Sequence, residues 1–196
     1  MEMTGEQLIP AAQSVTWDAL NDPEFLKACV PGCETIEKVA ENVYKIGMTA
    51  RVGPVAAKFK ATLLLSELDP PHAYALGFDG QSGAAGFSRG SAKVQLAAQG
   101  AATRLTYQVQ ATVGGKLAQV GSRLVDAAAK KLSEDFFSAF NSRLTSLQAE
   151  GQTEPQEHGI EPVANRADKQ KVNEAALRWL AAAALTIILV SLFAFF

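Results

Sequence analysis

The chain is poor in the residues that metal centres and nucleophilic sites usually require. It has two histidines, His72 and His158, and two cysteines, Cys29 and Cys33. His72 follows the turn-like Asp69-Pro-Pro and His158 lies in a polar stretch, so neither a zinc site nor a histidine-based triad is expected. Two thiols are too few for an iron–sulfur cluster, and a C-x3-C pair alone is weak evidence for redox work. We expect free thiols, one or both packed as small hydrophobes.

The chain also lacks an excess of charge of either sign. Lys and Arg number 18 and Asp and Glu number 20, which gives a net charge of −2 with both signs interspersed. This balance argues against nucleic acid as the main partner. The first residues contain no basic segment followed by an apolar one, so no secretory signal peptide is expected.

Charge is absent altogether from residues 179–196. Ten of these 18 residues are Leu, Ile, Val or Phe, and a helix of that length spans about 27 Å, close to the thickness of a bilayer core. A buried helix of a soluble fold would normally keep a polar face, which makes it the weaker alternative. We therefore predict a C-terminal transmembrane anchor over residues 175–196.

Cations precede this span, at Arg166, Lys169, Lys171 and Arg178. The positive-inside rule then predicts that the preceding domain lies in the cytoplasm, held at the cytoplasmic (inner) membrane by a single pass. That domain is predicted over residues 1–148. Residues 149–174 are rich in Gly, Pro, Glu and Gln without an apolar period, which predicts a flexible polar linker.

The domain opens with a segment, Glu2–Ile9, that suits a strand. Pro10 is expected in the first turn of a helix that runs through Trp17 and Leu20. Asp22 then suits the N-cap of a second short helix, with Pro23 at its first position. Pro31-Gly32 is expected to end this second helix.

Beyond the helices the apolar pattern alternates with period two, which is typical of strands. Successive runs separated by short turns, one of them at Gly53-Pro54, predict an antiparallel sheet with one buried face and one wet face. The residues predicted to face inward are Tyr44, Ile46, Met48, Ala50, Val52, Ala57, Phe59, Ala61, Leu63, Leu65, Tyr74, Leu76, Phe78, Ala92, Val94, Leu96, Ala98, Leu105, Tyr107, Val109, Ala111 and Val113.

A long amphipathic helix is predicted from Lys116 to about Leu147, because apolar residues recur there at helical spacing. The order of strand, two short helices, six strands and long helix predicts an α+β, helix-grip (START/Bet v 1-like) fold. In it a curved antiparallel sheet of about seven strands wraps a long C-terminal helix.

The apolar stripe of this helix is uneven in bulk. Its first half carries Ala118, Gly121 and Ala128 beside larger apolar residues, whereas its second half carries Phe136, Phe137 and Phe140. We expect the bulky end to pack solidly and the small end to leave an apolar cavity above the sheet. The predicted lining is Met48, Phe59, Leu63, Leu76, Phe78, Tyr107, Leu117, Val120, Gly121 and Leu124. A tightly filled core is an equally weighted alternative.

Polar groups are scarce at these inward positions. Tyr44, Ser88 and Tyr107 are the expected polar contacts for a ligand, and the glycines of residues 80–90 and 114–115 are expected to form mobile edges around a portal. Inward positions hold no paired carboxylates and no Ser/His pair, so we expect no catalytic residues and no enzymatic reaction.

Four segments resemble the CoxG family of carbon monoxide dehydrogenase subunits. They are residues 20–34, which include Cys29-Val-Pro-Gly-Cys33; Gly53-Pro-Val with Lys58-Phe-Lys60; residues 86–92, Gly-Phe-Ser-Arg-Gly-Ser-Ala; and residues 114–124, which begin Gly-Gly-Lys-Leu. The resemblance covers roughly residues 1–147 and places the chain in a superfamily, similar to START and Bet v 1 domains, whose members typically bind hydrophobic ligands.

The resemblance implies an accessory protein that brings the molybdenum-containing CO dehydrogenase, or a related hydroxylase, to the cytoplasmic membrane. It further implies a non-covalently bound quinone, such as menaquinone or ubiquinone, and no metal site. It assigns Gly114, Gly115 and Gly121 to shaping the portal. The alternative is a pure membrane anchor and adaptor with a filled core and no ligand.

Overall fold

A seven-stranded antiparallel sheet and four helices make up the part of the chain that the computed structural model describes, residues 1–52 and 55–150. The strands are β1 (Glu2–Ile9), β2 (Cys33–Ala40), β3 (Val43–Val52), β4 (Val55–Asp69), β5 (Ala73–Gln81), β6 (Phe87–Gln99) and β7 (Ala102–Gly114). The helices are α1 (Gln13–Asn21), α2 (Pro23–Cys29), α3 (Lys116–Gln119) and α4 (Ser122–Glu150). A single 3-10 turn, Gly83–Ala85, joins β5 to β6.

The strands lie in the order β1-β7-β6-β5-β4-β3-β2, and every neighbouring pair is antiparallel. Strands β2 to β7 lie side by side in chain order. Strand β1 pairs with β7 and forms one edge of the sheet, and β2 forms the other edge. A bulge in β4 between Ser66 and Asp69, where Glu67 has φ +50°, bends the sheet. This is the predicted helix-grip architecture. The expected Gly53-Pro54 turn, the anchor and the predicted linker beyond Glu150 lie outside the described residues, whereas Ala149 and Glu150, the first two predicted linker residues, belong to α4.

The alternation predicted for the strands is confirmed at most positions. Eighteen of the expected residues, from Tyr44 to Ala111 along β3 to β7, are among the buried core residues on the face that α4 covers. Ala98 is exposed instead, because it lies at the end of β6 beside the turn to β7. Val113 is half-buried, and the side chains of Val52 and Ala57 are outside the description.

The capping predicted for α2 is confirmed. One oxygen of the Asp22 carboxylate, Oδ1, accepts hydrogen bonds from the backbone N–H groups of Glu24 and Phe25, at 2.9 and 3.2 Å, and Pro23 occupies the first turn. The expectation for Pro10 is wrong, since α1 begins only at Gln13. Pro10 instead lies in a tight turn in which the N–H of Ala11 donates to the carbonyl of Ile9 at 2.8 Å.

The long C-terminal helix is broken, contrary to the prediction of one helix from Lys116. α3 ends at Gln119, Gly121 adopts φ +94°, and α4 starts at Ser122. A left-handed residue cannot continue a right-handed helix, and glycine adopts that conformation without a Cβ penalty. Because α4 starts with its own rotational phase, Val125 faces the core while Leu124 is 48% exposed.

Candidate functional site

Seven of the ten predicted lining residues lie inside the fold. Met48, Phe59, Leu63, Leu76, Phe78, Tyr107 and Leu117 are each 8% exposed or less. Leu63 of β4 and Phe78 of β5 are direct cross-strand neighbours, so the structure does bring the strand residues together on one face. Their near-complete burial means that little water-sized space adjoins them. Their role as ligand contacts stays a prediction.

The other three lie at the junction of α3 and α4. Val120 is half-buried, whereas Gly121 and Leu124 are exposed. The predicted inward orientation of Leu124 and Gly121 is therefore wrong, and so is that of Ala118, which is also exposed. The cause is the break at Gly121, which ends the continuous helical register on which the prediction depended.

A cleft of about 380 Å³ opens between the edge strand β1 and helix α4. Its lining residues are Met1, Glu2, Met3, Thr4, Gln7, Tyr107, Asp126, Lys130, Ser133 and Glu134. Tyr107 is the predicted site residue that also lines this cleft. The volume falls within the range of small-molecule sites. Charged side chains of α4 and Glu2 surround a floor that contains Met3 and the ring of Tyr107.

Tyr107 joins the sheet to α4 at the base of the cleft. Its hydroxyl and that of Ser133 are 2.9 Å apart and share a hydrogen bond, and its ring stacks on Phe137 with centroids 6.0 Å apart. A Cβ at Gly5 would lie 2.3 Å from Cζ of Tyr107, so the ring occupies the space that a side chain on β1 would need. The sequence analysis missed Gly5. Its signal is a glycine at an inward position of β1, between Met3 and Gln7.

Two buried hydroxyls on the inner face lack hydrogen-bond partners among the described residues. They are Oη of Tyr44 and Oγ of Ser88, both on fully buried residues. Burial also raises the pKa of Tyr44, so its hydroxyl stays protonated and can only donate or accept as a neutral group. An unpaired buried hydroxyl costs about 1–3 kcal/mol. A ligand oxygen that reached either group would remove that cost.

The glycine-rich connections predicted to be mobile edges are closely packed against each other. A Cβ at Gly86 would lie 2.0 Å from the carbonyl oxygen of Gly114, and one at Gly115 would lie 2.5 Å from Cα of Gly86. Gly86 and Gly115 both have positive φ, +129° and +84°. Most of residues 80–90 belong to β5 and β6 rather than to a loop. The glycines therefore permit backbone contact between the β5–β6 turn and the start of α3.

The two cysteines are free thiols, as predicted. Burial raises the pKa of both Cys29 and Cys33 to about 11, so neither is a thiolate at neutral pH. Within residues 1–52 and 55–150, no cluster of three or more His, Cys, Asp or Glu side chains could hold a metal ion. No helix in that same part of the chain is long and apolar enough to cross a bilayer.

Solved structures similar to this one share its fold. A conserved protein from Geobacillus kaustophilus has a TM-score of 0.71 and 29% identity, over 74% of this chain and 96% of that one. Ara h 8.0201 has a TM-score of 0.54 and 18% identity, over 74% and 98%. The Zhui aromatase/cyclase from Streptomyces sp. R1128 has a TM-score of 0.54 and 12% identity, over 74% and 93%. The last two likenesses, at such low identity, show the fold alone.

Because the match takes in 96% of the Geobacillus protein, that protein folds with little beyond the matched domain. No protein of the curated set matches the sequence closely enough to count as a relative. The model of the CoxG family of carbon monoxide dehydrogenase subunits matches residues 5–145, which is almost the whole domain from β1 through most of α4. The chain therefore belongs to the CoxG family.

Proposed function

We propose that this protein is a non-catalytic accessory protein that holds a CO dehydrogenase, or a related molybdenum hydroxylase, at the cytoplasmic membrane and carries a hydrophobic, quinone-type ligand for it. The observation that carries the proposal is the family match over residues 5–145, which falls on a domain followed by a charge-free apolar segment, residues 179–196. The membrane attachment rests on that segment, with the domain on the cytoplasmic side.

The proposed ligand site combines the cleft with the apolar face behind it. The cleft gives access from solvent to Tyr107, and a ligand tail that passed beyond this ring would displace the closely packed apolar side chains of Met48, Leu63 and their neighbours. A quinone has an apolar tail and carbonyl oxygens that can only accept hydrogen bonds. The unpaired hydroxyls of Tyr44 and Ser88 are donors of the kind that such oxygens require. Burial of the tail in the protein, at about 25 cal/mol per Å², replaces the apolar surroundings that the tail has in the membrane.

Native mass spectrometry of residues 1–150 purified without detergent tests the carrier. The carrier predicts a retained lipid-sized mass. Met3→Trp enlarges an inward side chain on the floor of the cleft and should abolish retention, while Thr112→Trp, on the exposed face of β7, should leave it intact. If the domain never retains a ligand, the proposed ligand binding is wrong, but the proposed membrane attachment is not affected.

A second function, a pure anchor and adaptor, is favoured by one observation. The predicted lining residues are almost fully covered by the protein itself, as in a filled core. For an adaptor, deletion of residues 175–196 should release the enzyme from membranes while the domain purifies empty and still binds the enzyme. For the carrier, the truncated domain should bind lipid as well.

A further inference from the structure

Strand β1 is an edge of the sheet, and every second residue of it directs its backbone groups away from β7. The terminal amine of Met1 donates to the carbonyl of Ala111, and the N–H of Ala111 donates back to the carbonyl of Met1, both at 3.1 Å. In an antiparallel ladder, such doubly bonded pairs alternate with pairs that share no hydrogen bond. The register therefore directs the backbone groups of Met3 toward β7, and those of Glu2 and Thr4 toward the free edge.

The free backbone groups of Glu2 and Thr4 border the cleft between β1 and α4. Both residues line the cleft, although their side chains alternate to the outer face of the sheet. Within residues 1–52 and 55–150, no helix, loop or side chain forms a hydrogen bond with the backbone N–H or carbonyl of either residue. Two donors and two acceptors, spaced as in a strand, are thus open to the cleft.

The two edges of the sheet differ in regularity. The pairing of β2 with β3 is irregular between Cys33 and Thr35 and again between Lys38 and Ala40, and such bulges are one means by which proteins prevent an edge from pairing further. By contrast, β1 pairs with β7 without a shift over its whole length and contains no proline or lysine. It is therefore the edge that can accept another strand.

The cleft has room for a strand but not for a folded domain. One residue of an added strand occupies about 160 Å³, given a rise of about 3.3 Å, a strand spacing of about 4.8 Å and a sheet spacing of about 10 Å. The cleft of about 380 Å³ therefore holds two to three such residues, which matches the span from Glu2 to Thr4. Because α4 lies opposite, the edge of another folded sheet would meet this helix before it reached β1. The occupant is thus a single extended segment.

The side chains around the cleft set the chemistry of that segment. The floor is apolar, whereas the walls carry the carboxylates of Glu2, Asp126 and Glu134 against the ammonium groups of Lys130 and the amino terminus. Side chains of an extended segment point alternately to the two faces of the sheet. Apolar residues toward the floor, alternating with basic residues beside Glu2 on the outer face, complement these surroundings.

We infer that the cleft binds an extended peptide segment of a partner protein, which adds to β1 as a further strand and carries alternating apolar and basic residues. PDZ and PTB domains bind peptides in this way, with main-chain hydrogen bonds for affinity and side chains for specificity. A segment bound here lies at the mouth of the cleft, beside the proposed path to Tyr107. The inference goes beyond the proposed function, because it assigns a peptide site whether or not the domain carries a lipid.

A capped, fluorescent peptide of alternating valine and lysine is the probe. Its binding to the full chain in a non-ionic detergent is followed by fluorescence anisotropy. The same peptide methylated at every backbone nitrogen keeps its charge but cannot donate to β1, so its affinity should be at least about tenfold lower. A peptide with glutamate in place of lysine should also bind more weakly, because the carboxylates of the cleft repel it.

Thr4→Pro is the matching change in the protein. It removes an N–H that β7 does not use, so β1 should keep its place in the sheet, and the affinity for the peptide should fall at least about tenfold. Leu8→Pro makes the same change farther along the same edge, outside the cleft, and should alter the affinity less than about twofold. Circular dichroism checks that each variant is folded.

Hydrogen exchange resolved at single amides identifies the edge that is used. The amide of Thr4 should exchange about tenfold more slowly when the peptide is bound, whereas that of Met3, already bonded to β7, should change little. The inference is overturned if the peptide does not bind, if the methylated peptide binds equally well, or if Thr4→Pro and Leu8→Pro lose equal affinity.

A second copy of the chain is the other occupant that the test detects. If the chain is a dimer in which the Thr4 amide is already slow without peptide, the edge is filled by that copy and the inference is overturned. Lipid retention is measured separately, without the peptide, so the proposed function fails or stands on its own.

Discussion

The two halves of α4 differ in how firmly side chains hold them to the sheet. In the C-terminal half, Phe136 and Phe140 are 1% and 0% exposed, and the Phe140 ring lies 5.3 Å from that of Phe25 on α2. In the N-terminal half, the core contacts come from Val125 and Ala129, the cleft opens at one side, and Leu124 is exposed. Mutually packed aromatic rings hold the C-terminal half in place, and we call it the packed half. The small side chains of the N-terminal half leave space beside it, and we call it the open half.

The largest effect is expected from emptying the packed half. Phe140→Ala should lower the free energy of unfolding by about 3–5 kcal/mol, because it removes a fully buried ring and leaves a cavity. Leu124→Ala in the open half should cost less than about 0.5 kcal/mol, as for other exposed positions. Urea unfolding of both variants measures the contrast. Equal losses would show that the two halves do not differ in packing.

The glycines that lead into the open half should rank next. Gly115→Ala should cost about 3 kcal/mol, because it combines a left-handed conformation with a Cβ 2.5 Å from Cα of Gly86. Gly121→Ala should cost about 1–2 kcal/mol, since its φ is +94° but nothing lies within 4 Å of the added Cβ. Thermal unfolding gives the order, and a larger loss at Gly121 would contradict it.

High pH should lower the free energy of unfolding through Cys29 of α2, the helix that packs against the packed half. Burial raises the pKa of this thiol to about 11. An unfolded thiol ionises at lower pH than this buried one, so the native state binds more protons in between. The contribution of this thiol to the free energy of unfolding should be present in full at neutral pH. It should fall by about 2–3 kcal/mol as the pH rises from about 9 to about 11. In urea titrations at several pH values, Cys29→Ala should flatten the fall. An unchanged slope would exclude Cys29 as a source.

The smallest effect is expected where the halves meet. Ser133→Ala removes the partner of the Tyr107 hydroxyl and should cost about 1 kcal/mol, because that hydroxyl can still reach water in the cleft. Ser138→Ala, on the exposed side of the same helix, is the control and should be neutral. A loss well above 2 kcal/mol would mean that the hydroxyl is sealed from solvent.

The sheet and α2 could be predicted because their signals are local. Alternation places Ile46, Phe59 and Val94 on one face whatever the rest of the chain does, and Asp22-Pro23 starts a helix by its own hydrogen bonds. The break at Gly121 was missed because one glycine does not interrupt the apolar period on either side of it. A pattern alone cannot distinguish a tolerated helical glycine from a left-handed one.

The candidate site could be predicted only in part. Burial of Met48, Leu63 and Leu76 follows from strand alternation, so these residues were found. The cleft depends on the distance between β1 and α4, which are more than 100 residues apart in sequence. Its position is set by Gly5 and Tyr107, a pair that meets only after β1 has closed onto β7.

The hydrogen bond between Tyr107 and Ser133 has a consequence for how α4 is positioned on the sheet. Apolar contacts are non-directional, and in the N-terminal half of α4 they come from small side chains such as Val125 and Ala129, so they fix the rotation of that half only weakly. A directional bond allows one setting only. Because Gly5 has no side chain, the ring of Tyr107 fits against β1 and fixes the orientation of α4 through Ser133. A molecule that bound beside this ring would therefore reorient the helix as well as occupy the cleft.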